Sequence, residues 1–414
     1  MQKLGIIGTG IAGMGCGHFL HEKYDITFFE KENYIGGHTN TISVDEGGEK
    51  VFMDTGFMVF NFETYPNLCK LFDEIKAPIK KTDMSFSVQH VPSGLEYCGS
   101  NLDGLFAQRK NIFNIKYIKM LMEITRFNKT SVKFLDNPVY KNYSLSQYIN
   151  EFGFSNEMLN KYLIPMSSAV WSTPMDKMLD FPVVALIRFF KNHGFLGLDT
   201  QHQWYTLHNG SQSYREILIK PFKEKINISK AVVKVSKYNN KVVVTLSDGT
   251  QQEFDKVIFA CHANEALQLV DTPTIDEQRL LAPFKYQKNK ATVHTDETVM
   301  PKNKKTWSSW NYRIEEHKGK QLPTTIYWMN RLQQVSKKKN YFVSINALPS
   351  SISKQNLIKE IEYEHPLFDV AAMQAQEELQ LLNKTGPLYF CGSYFKYGFH
   401  EDAYASAVEL CKNL

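Results

Sequence analysis

"KLGIIGTGIAGMGCGHFLHEKYDITFFEKENYIGGH", residues 3–38, packs six glycines into the thirteen positions from Gly5 to Gly17. Glycine loses more conformational freedom on folding than any other residue, so such density needs a reason. The apolar run from Lys3 to Ile7 reads as a buried parallel strand, and Ile11 to Glu22 as a helix. Between them Gly8-Thr9-Gly10-Ile11-Ala12-Gly13 is a G-x-G-x-x-G at a strand-to-helix turn. There the first glycine allows the tight turn, the second admits a pyrophosphate to the backbone, and the third lets helix and strand pack closely. The helix N-terminus offers free N–H groups and a positive dipole end to the phosphates. "DITFFE" supplies a second strand ending at Glu30, 22 residues beyond Gly8. A carboxylate there takes both hydroxyls of an adenosine ribose and repels a 2′-phosphate, which disfavours an NADP-type ligand.

Working outward, 414 residues exceed one ordinary core and predict two domains. The hydrophobic share of 43% and charged share of 22% are those of a globular chain, and a net charge of +5 does not imply nucleic acid. Aromatic residues reach 13%, which fits a large apolar interior or a greasy substrate cavity. The six cysteines form no C-x-x-C and no zinc spacing, so no metal site is expected and buried thiols in a reducing cytoplasm fit best. The N-terminal apolar stretch is too glycine-rich for a signal peptide, and no apolar run approaches the ~18 residues of a membrane span.

Glu30-Lys31, four further residues and then Gly36-Gly37-His38-Thr39 resemble the pattern of flavoproteins that include amine oxidases and phytoene desaturases. The resemblance implies FAD, with this glycine pair against the pyrophosphate and ribityl chain. "MDTGFMVF", residues 53–60, is similar to the family's D-x-G segment, which places Gly56, Phe57 and Met58 beside the flavin ring. "GPLYFCGSYFKYGFHEDAYASAVELCKNL" closes the chain with a strand, Leu388 to Cys391, an aromatic loop and a helix starting near His400. Gly392-Ser393 stands where the family usually has Gly-Asp. The turn Phe399 to Ala403, with Glu401 and Asp402, would aim helix N–H groups at the flavin N1/O2 edge. A valine backbone near Val233 would touch the adenine.

"YLIPMSSAVWSTPMDKMLDFP" (162–182), "KATVHTDETVMP" (290–301), "WSSWNY" (307–312), "YWMNRLQ" (327–333) and "YFKYGFHEDA" (394–403) extend the resemblance over nearly the whole chain. They resemble amine-oxidase-like FAD oxidoreductases that accompany cyclopropane-fatty-acid-synthase-like methyltransferases. The fold implied is α/β: a Rossmann-like FAD domain of the glutathione-reductase-2/amine-oxidase type, with an inserted α+β substrate domain. The FAD domain is expected at 1–75, 205–275 and 381–414, and the substrate domain at 76–204 and 276–380. The activity implied is hydride transfer from a methyl-branched or cyclopropane acyl chain to flavin N5. A SAM-dependent lipid methyltransferase is the implied partner. The rival readings are an amine oxidase and a flavin-bound accessory of such a methyltransferase.

A flavin enzyme needs little acid–base chemistry from the protein. Lys290 lies where amine oxidases carry a lysine that holds a water against N5; alternatively it is one exposed lysine among Lys285, Lys288 and Lys290. Tyr394, Phe395, Tyr397 and Phe399 are expected as aromatic walls or as ordinary loop packing. His294 and His400 are the candidate proton acceptors, each with a structural alternative. Residues 106–134 carry seven basic residues and one acidic, with Ile115, Ile118, Met122 and Ile124 near helical spacing. Such a helix suits either an anionic membrane surface or a core-facing stripe with a solvated basic face.

Overall fold

The computed structural model describes residues 1–197, 202–239 and 241–414. A five-stranded parallel sheet runs in the order Ile226–Asn227, Asp25–Phe29, Lys3–Ile7, Lys256–Phe259 and Leu388–Phe390. The start, middle and end of the chain therefore build one nucleotide-binding layer. Helix Ile11–Leu20 lies between this sheet and the C-terminal helix His400–Cys411. The surplus glycines permit that close fit: a Cβ at Gly17 would stand 2.7 Å from the Phe28 ring, and one at Gly15 3.0 Å from the Tyr404 ring.

The second layer is a seven-stranded mixed sheet: Leu357–Leu367, Lys285–His294, Phe342–Ile345, Lys320–Trp328, Trp310–His317, Phe86–His90 and Leu95–Cys98. Its register pairs Gln287 with His365 and Asn289 with Tyr363. Helices between residues 102 and 192 pack on this side around buried Tyr148, Phe181 and Phe190. This is the expected α/β architecture, a Rossmann-like parallel layer joined to an α+β part. A small sheet of Phe60–Asn61, Trp204–Leu207 and Ile79–Thr82 joins segments from both sides of the expected boundary.

Helix Ile115–Thr130 is present, but its inward stripe is Tyr117, Met120, Glu123 and Phe127. Ile115 and Met122 point outward, 84% and 61% exposed. The two aromatic rings bury more apolar surface than the isoleucines would, and that sets the helix's rotation. The buried Glu123 is retained because its carboxylate accepts from Ser155 N–H and Oγ. Among the described residues, no helix is long and apolar enough to cross a membrane. All six cysteines are free, and Cys391 faces the Cys16 sulfur at 3.7 Å within the core.

Candidate active site

The carboxyl ends of the parallel strands open into a cavity of about 590 Å³, the place where open α/β sheets bind ligands. Gly8 has φ +101° and a Cβ there would lie 2.6 Å from the Ala260 carbonyl oxygen. A Cβ at Gly13 would lie 2.1 Å from the Gly8 carbonyl oxygen, so the helix reaches the turn only through glycine. Gly10 differs: nothing lies within 4 Å of its missing Cβ. The position of Gly37's missing Cβ is 3.4 Å from Gly10 Cα, so the two glycine loops form facing lips. Ile11 and Ala12 complete the lower lip.

Glu30 is buried at the strand tip. One carboxylate oxygen accepts from the Thr9 N–H at 2.9 Å and the Thr9 hydroxyl at 2.5 Å; the other accepts from the Glu32 N–H at 3.0 Å. A carboxylate has about four acceptor positions, so room for a ribose hydroxyl remains. Thr9 Oγ1 also accepts from the Gly36 N–H at 3.1 Å, tying the two glycine loops together. Lys31 reaches Glu265 at 2.5 Å, and the His262 Nδ1 lies 3.6 Å from both Glu265 and Glu364. The ligand atoms of His262, Glu265 and Glu364 fall within 4.8 Å of one another. The Lys31 ammonium already neutralises this group from one side.

Further along the cavity, the D-x-G loop locks against His38. The Phe57 N–H donates to the His38 carbonyl at 2.8 Å, and a Cβ at Gly56 would stand 2.4 Å from the same oxygen. Met58 lines the wall beside them. The His38 ring stacks on Tyr363 at 4.8 Å, and its buried Nε2 meets no partner among the described residues. Burial holds its pKa well below the usual histidine range, so it is neutral. Gly392, Ser393, Phe399 and Ala403 close the far side. Facing glycine lips, an anchored carboxylate, an orphaned imidazole nitrogen and the lining Ser393 fit an FAD pyrophosphate, ribose and ribityl chain.

Several expected residues sit elsewhere. Lys290 is exposed, with Nζ 2.8 Å from Glu360. Strand alternation turns it outward and brings Asn289 inward. His294 is a core residue bonded to Ser344 Oγ at 2.8 Å and accepting from the Asp296 N–H at 3.1 Å. Tyr397 does not line the cavity; its backbone carbonyl accepts from Trp171 Nε1 at 3.1 Å. Val233 is 50% exposed, and its neighbour Val232 lines the cavity instead. Of the four expected wall aromatics, only Phe399 lines it; Tyr394 is buried in the core.

Glu401 caps helix Pro66–Glu74 by accepting from Asn67 and Leu68 N–H groups. Asp402 caps its own helix through the Tyr397 and Phe399 N–H groups. Thr39 and Gly36 stand behind the wall. Thr39 Oγ1 lies 2.6 Å from the Tyr214 hydroxyl, itself 2.6 Å from His400 Nε2. His400 does line the cavity, but its Nε2 is engaged and its ring lies on Phe57 at 3.9 Å. Its ring forms part of the cavity wall. Lys290→Met should therefore leave flavin reduction within about twofold of the parent in stopped-flow traces, because an exposed ion pair contributes ~1 kcal/mol at most.

The other end of the cavity is a chamber of Trp171, Phe189, Trp204, Trp310, Tyr327 and Phe399. Phe399 stacks on Phe189 at 4.8 Å, and Phe189 on His193 at 3.7 Å. Apart from Phe399, sequence reasoning assigned these residues no role, nor Tyr363 and His365. For the last two a signal existed: "EIEYEHPL" alternates glutamates with Ile361, Tyr363 and His365, the pattern of a strand with one face inward.

Flavin containing amine oxidoreductases match residues 11–342, and the chain belongs to that family. FAD is accordingly the cofactor this cleft is built for. The 1-hydroxycarotenoid 3,4-desaturase of Flavobacterium sp. (strain P99-3) is 28% identical over 298 residues, 63% of this chain and 56% of the relative. The match thus spans little more than half of that curated relative's length. Among solved structures, a putrescine oxidase redesigned in its cofactor binding superposes with a TM-score of 0.70 at 11% identity, over 100% of this chain and 98% of that one. A CLA-producing fatty acid isomerase from P. acnes superposes with a TM-score of 0.69 at 12% identity, over 100% of this chain and 98% of that one. At these identities the superpositions speak for the fold alone.

Proposed function

We propose that the chain is an FAD-dependent dehydrogenase that removes two hydrogens from a modified fatty acyl chain, methyl-branched or cyclopropane-bearing, leaving a C=C bond. The observation that carries this reading is the uncharged aromatic chamber opening directly into the flavin cleft. Of the five glutamates that line the cavity among the described residues, Glu30 and Glu32 stand at the nucleotide strand tip, Glu265 and Glu364 meet Lys31 and His262, and Glu362 faces Lys288. Flavin supplies the two-electron acceptor when bound. The chain's own part is to bury the acyl segment between rings, exclude water and fix the C–H bond in place. A desaturase relative supports an apolar substrate. The same reading makes a SAM-dependent lipid methyltransferase the supplier of that substrate.

The test is the mass of acyl chains recovered after incubation of the FAD-loaded protein with such phospholipids. Loss of two hydrogens is expected. Unchanged chains, with an amine consumed in a parallel reaction, would assign the amine oxidase activity that the family's name favours.

A lipid substrate also gives meaning to one exposed face. Ile115 and Met122, seven residues apart, share one face of helix Ile115–Thr130 and are 84% and 61% exposed; Phe113, just before the helix, is 88% exposed, and Lys110, Lys116 and Lys119 lie in the same stretch. We propose that this face rests on an anionic bilayer. Each inserted apolar side chain contributes ~1.5–3 kcal/mol and each nearby cation ~1 kcal/mol. Phe113→Asp combined with Ile115→Asp should weaken sedimentation with anionic vesicles at least tenfold; equal binding would remove this face from the account.

A further inference from the structure

Three hydrogen bonds lead from the backbone to His365, and their direction is fixed at the first step. The Lys290 N–H is a donor only, so Asn346 Oδ1, at 2.9 Å, accepts. Asn346 must then present its amide nitrogen to Asn289, whose Oδ1 accepts at 2.7 Å. Asn289 in turn presents its amide nitrogen to His365 Nδ1 at 2.7 Å. A ring nitrogen that accepts carries no proton, so in neutral His365 the proton sits on Nε2. His365 lines the cavity, and no described residue bonds its Nε2.

Its place in the cavity is also defined. The His365 ring lies 5.2 Å from that of His38, which follows the second glycine lip. The adjoining Pro366 lies 3.1 Å from where a Cβ of Gly398 would be, at the entry to the C-terminal helix. His365 therefore stands between the two loops that enclose the inner part of the cofactor cleft.

We propose that the Lys290 backbone, Asn346 and Asn289 fix His365 as a neutral Nε2–H donor aimed at an acceptor atom of the flavin ring. The inference rests on the FAD assignment and is independent of which substrate is oxidised. Asn289 and Asn346 are positioning residues; His365 is the group that meets the cofactor. Burial, which pushes the His365 pKa down to about 4, keeps the donor neutral at physiological pH. Such a donor lends partial positive charge to the ring, where negative charge develops on reduction.

Long-range 1H–15N spectra of the FAD-loaded, histidine-labelled protein, without substrate, read the tautomer directly. Nε2–H is expected for His365; an Nδ1–H form would overturn the proposal. Asn289→Asp puts an acceptor at Nδ1 and should move a proton onto that nitrogen. His365→Leu should lower the flavin midpoint potential by about 30 mV, a tenfold change for a two-electron couple. His365→Gln, which retains an N–H donor, should recover part of that shift. Equal potentials in the parent and a folded His365→Leu would also overturn it. Neither readout depends on acyl-chain turnover, so failure of the substrate reading leaves this test intact.

Discussion

Gly10→Leu should give a folded protein that purifies without flavin colour and binds added FAD at least 100-fold more weakly, about 2.7 kcal/mol. Gly10 has φ −59°, which any L residue adopts, and nothing lies within 4 Å of its missing Cβ. The Cβ of a leucine therefore finds open space, and its side chain extends into the lip where the pyrophosphate belongs. Gly13→Leu, three residues on, should instead fail to fold, because its Cβ meets the Gly8 carbonyl oxygen at 2.1 Å. The contrast separates a glycine kept for a ligand from one kept for packing. Circular dichroism and flavin absorbance of the two variants check it.

Acid should destabilise the protein steeply between pH 7.5 and pH 5. Burial lowers the pKa of His193, His294 and His365 to about 4, and that of His400 to about 3. In the unfolded chain each titrates near 6.5. Between those values the unfolded state binds more protons, so the stability these histidines contribute is full above pH 6.5 and lost as pH falls towards 4. At pH 5 each has cost about 2 kcal/mol. Asp402 works the other way. Burial raises its pKa to about 7, so its contribution is full below its unfolded value and lost as pH rises through 7. It returns about 3 kcal/mol at pH 5, so these five groups together lose about 5 kcal/mol. Thermal unfolding at the two pH values measures this. His193→Phe keeps the stack on Phe189 and should remove one histidine's share.

The nucleotide half of the site was legible because its rules are local. Gly8, Gly10 and Gly13 have roles set by a single turn, and Glu30 by the end of the next strand. All four lie where the spacing puts them. The reaction side was less legible because it is made by sheet pairing. His365 and Asn289 come together across two strands 76 residues apart, and no local pattern states that register. Lys290 shows the cost of a one-residue error. In a strand the neighbouring position faces the opposite way, so the lysine is outside and Asn289 inside. Of the two readings of the isoleucine spacing in the helix through Tyr117 and Phe127, the core-facing stripe does not hold for Ile115 and Met122, because the larger rings turn inward instead. Trp171, Trp310 and Tyr327 lay in stretches whose unusual composition was evident, yet only the folded chamber shows what they enclose.

The central claim is that this flavin cleft oxidises an acyl chain. Anaerobic titration of the FAD-loaded protein, followed by the flavin spectrum, tests it most directly. Methyl-branched or cyclopropane phospholipids should bleach the flavin, while primary amines and polyamines leave it oxidised. Bleaching by the amines alone, or by neither panel, would contradict the account.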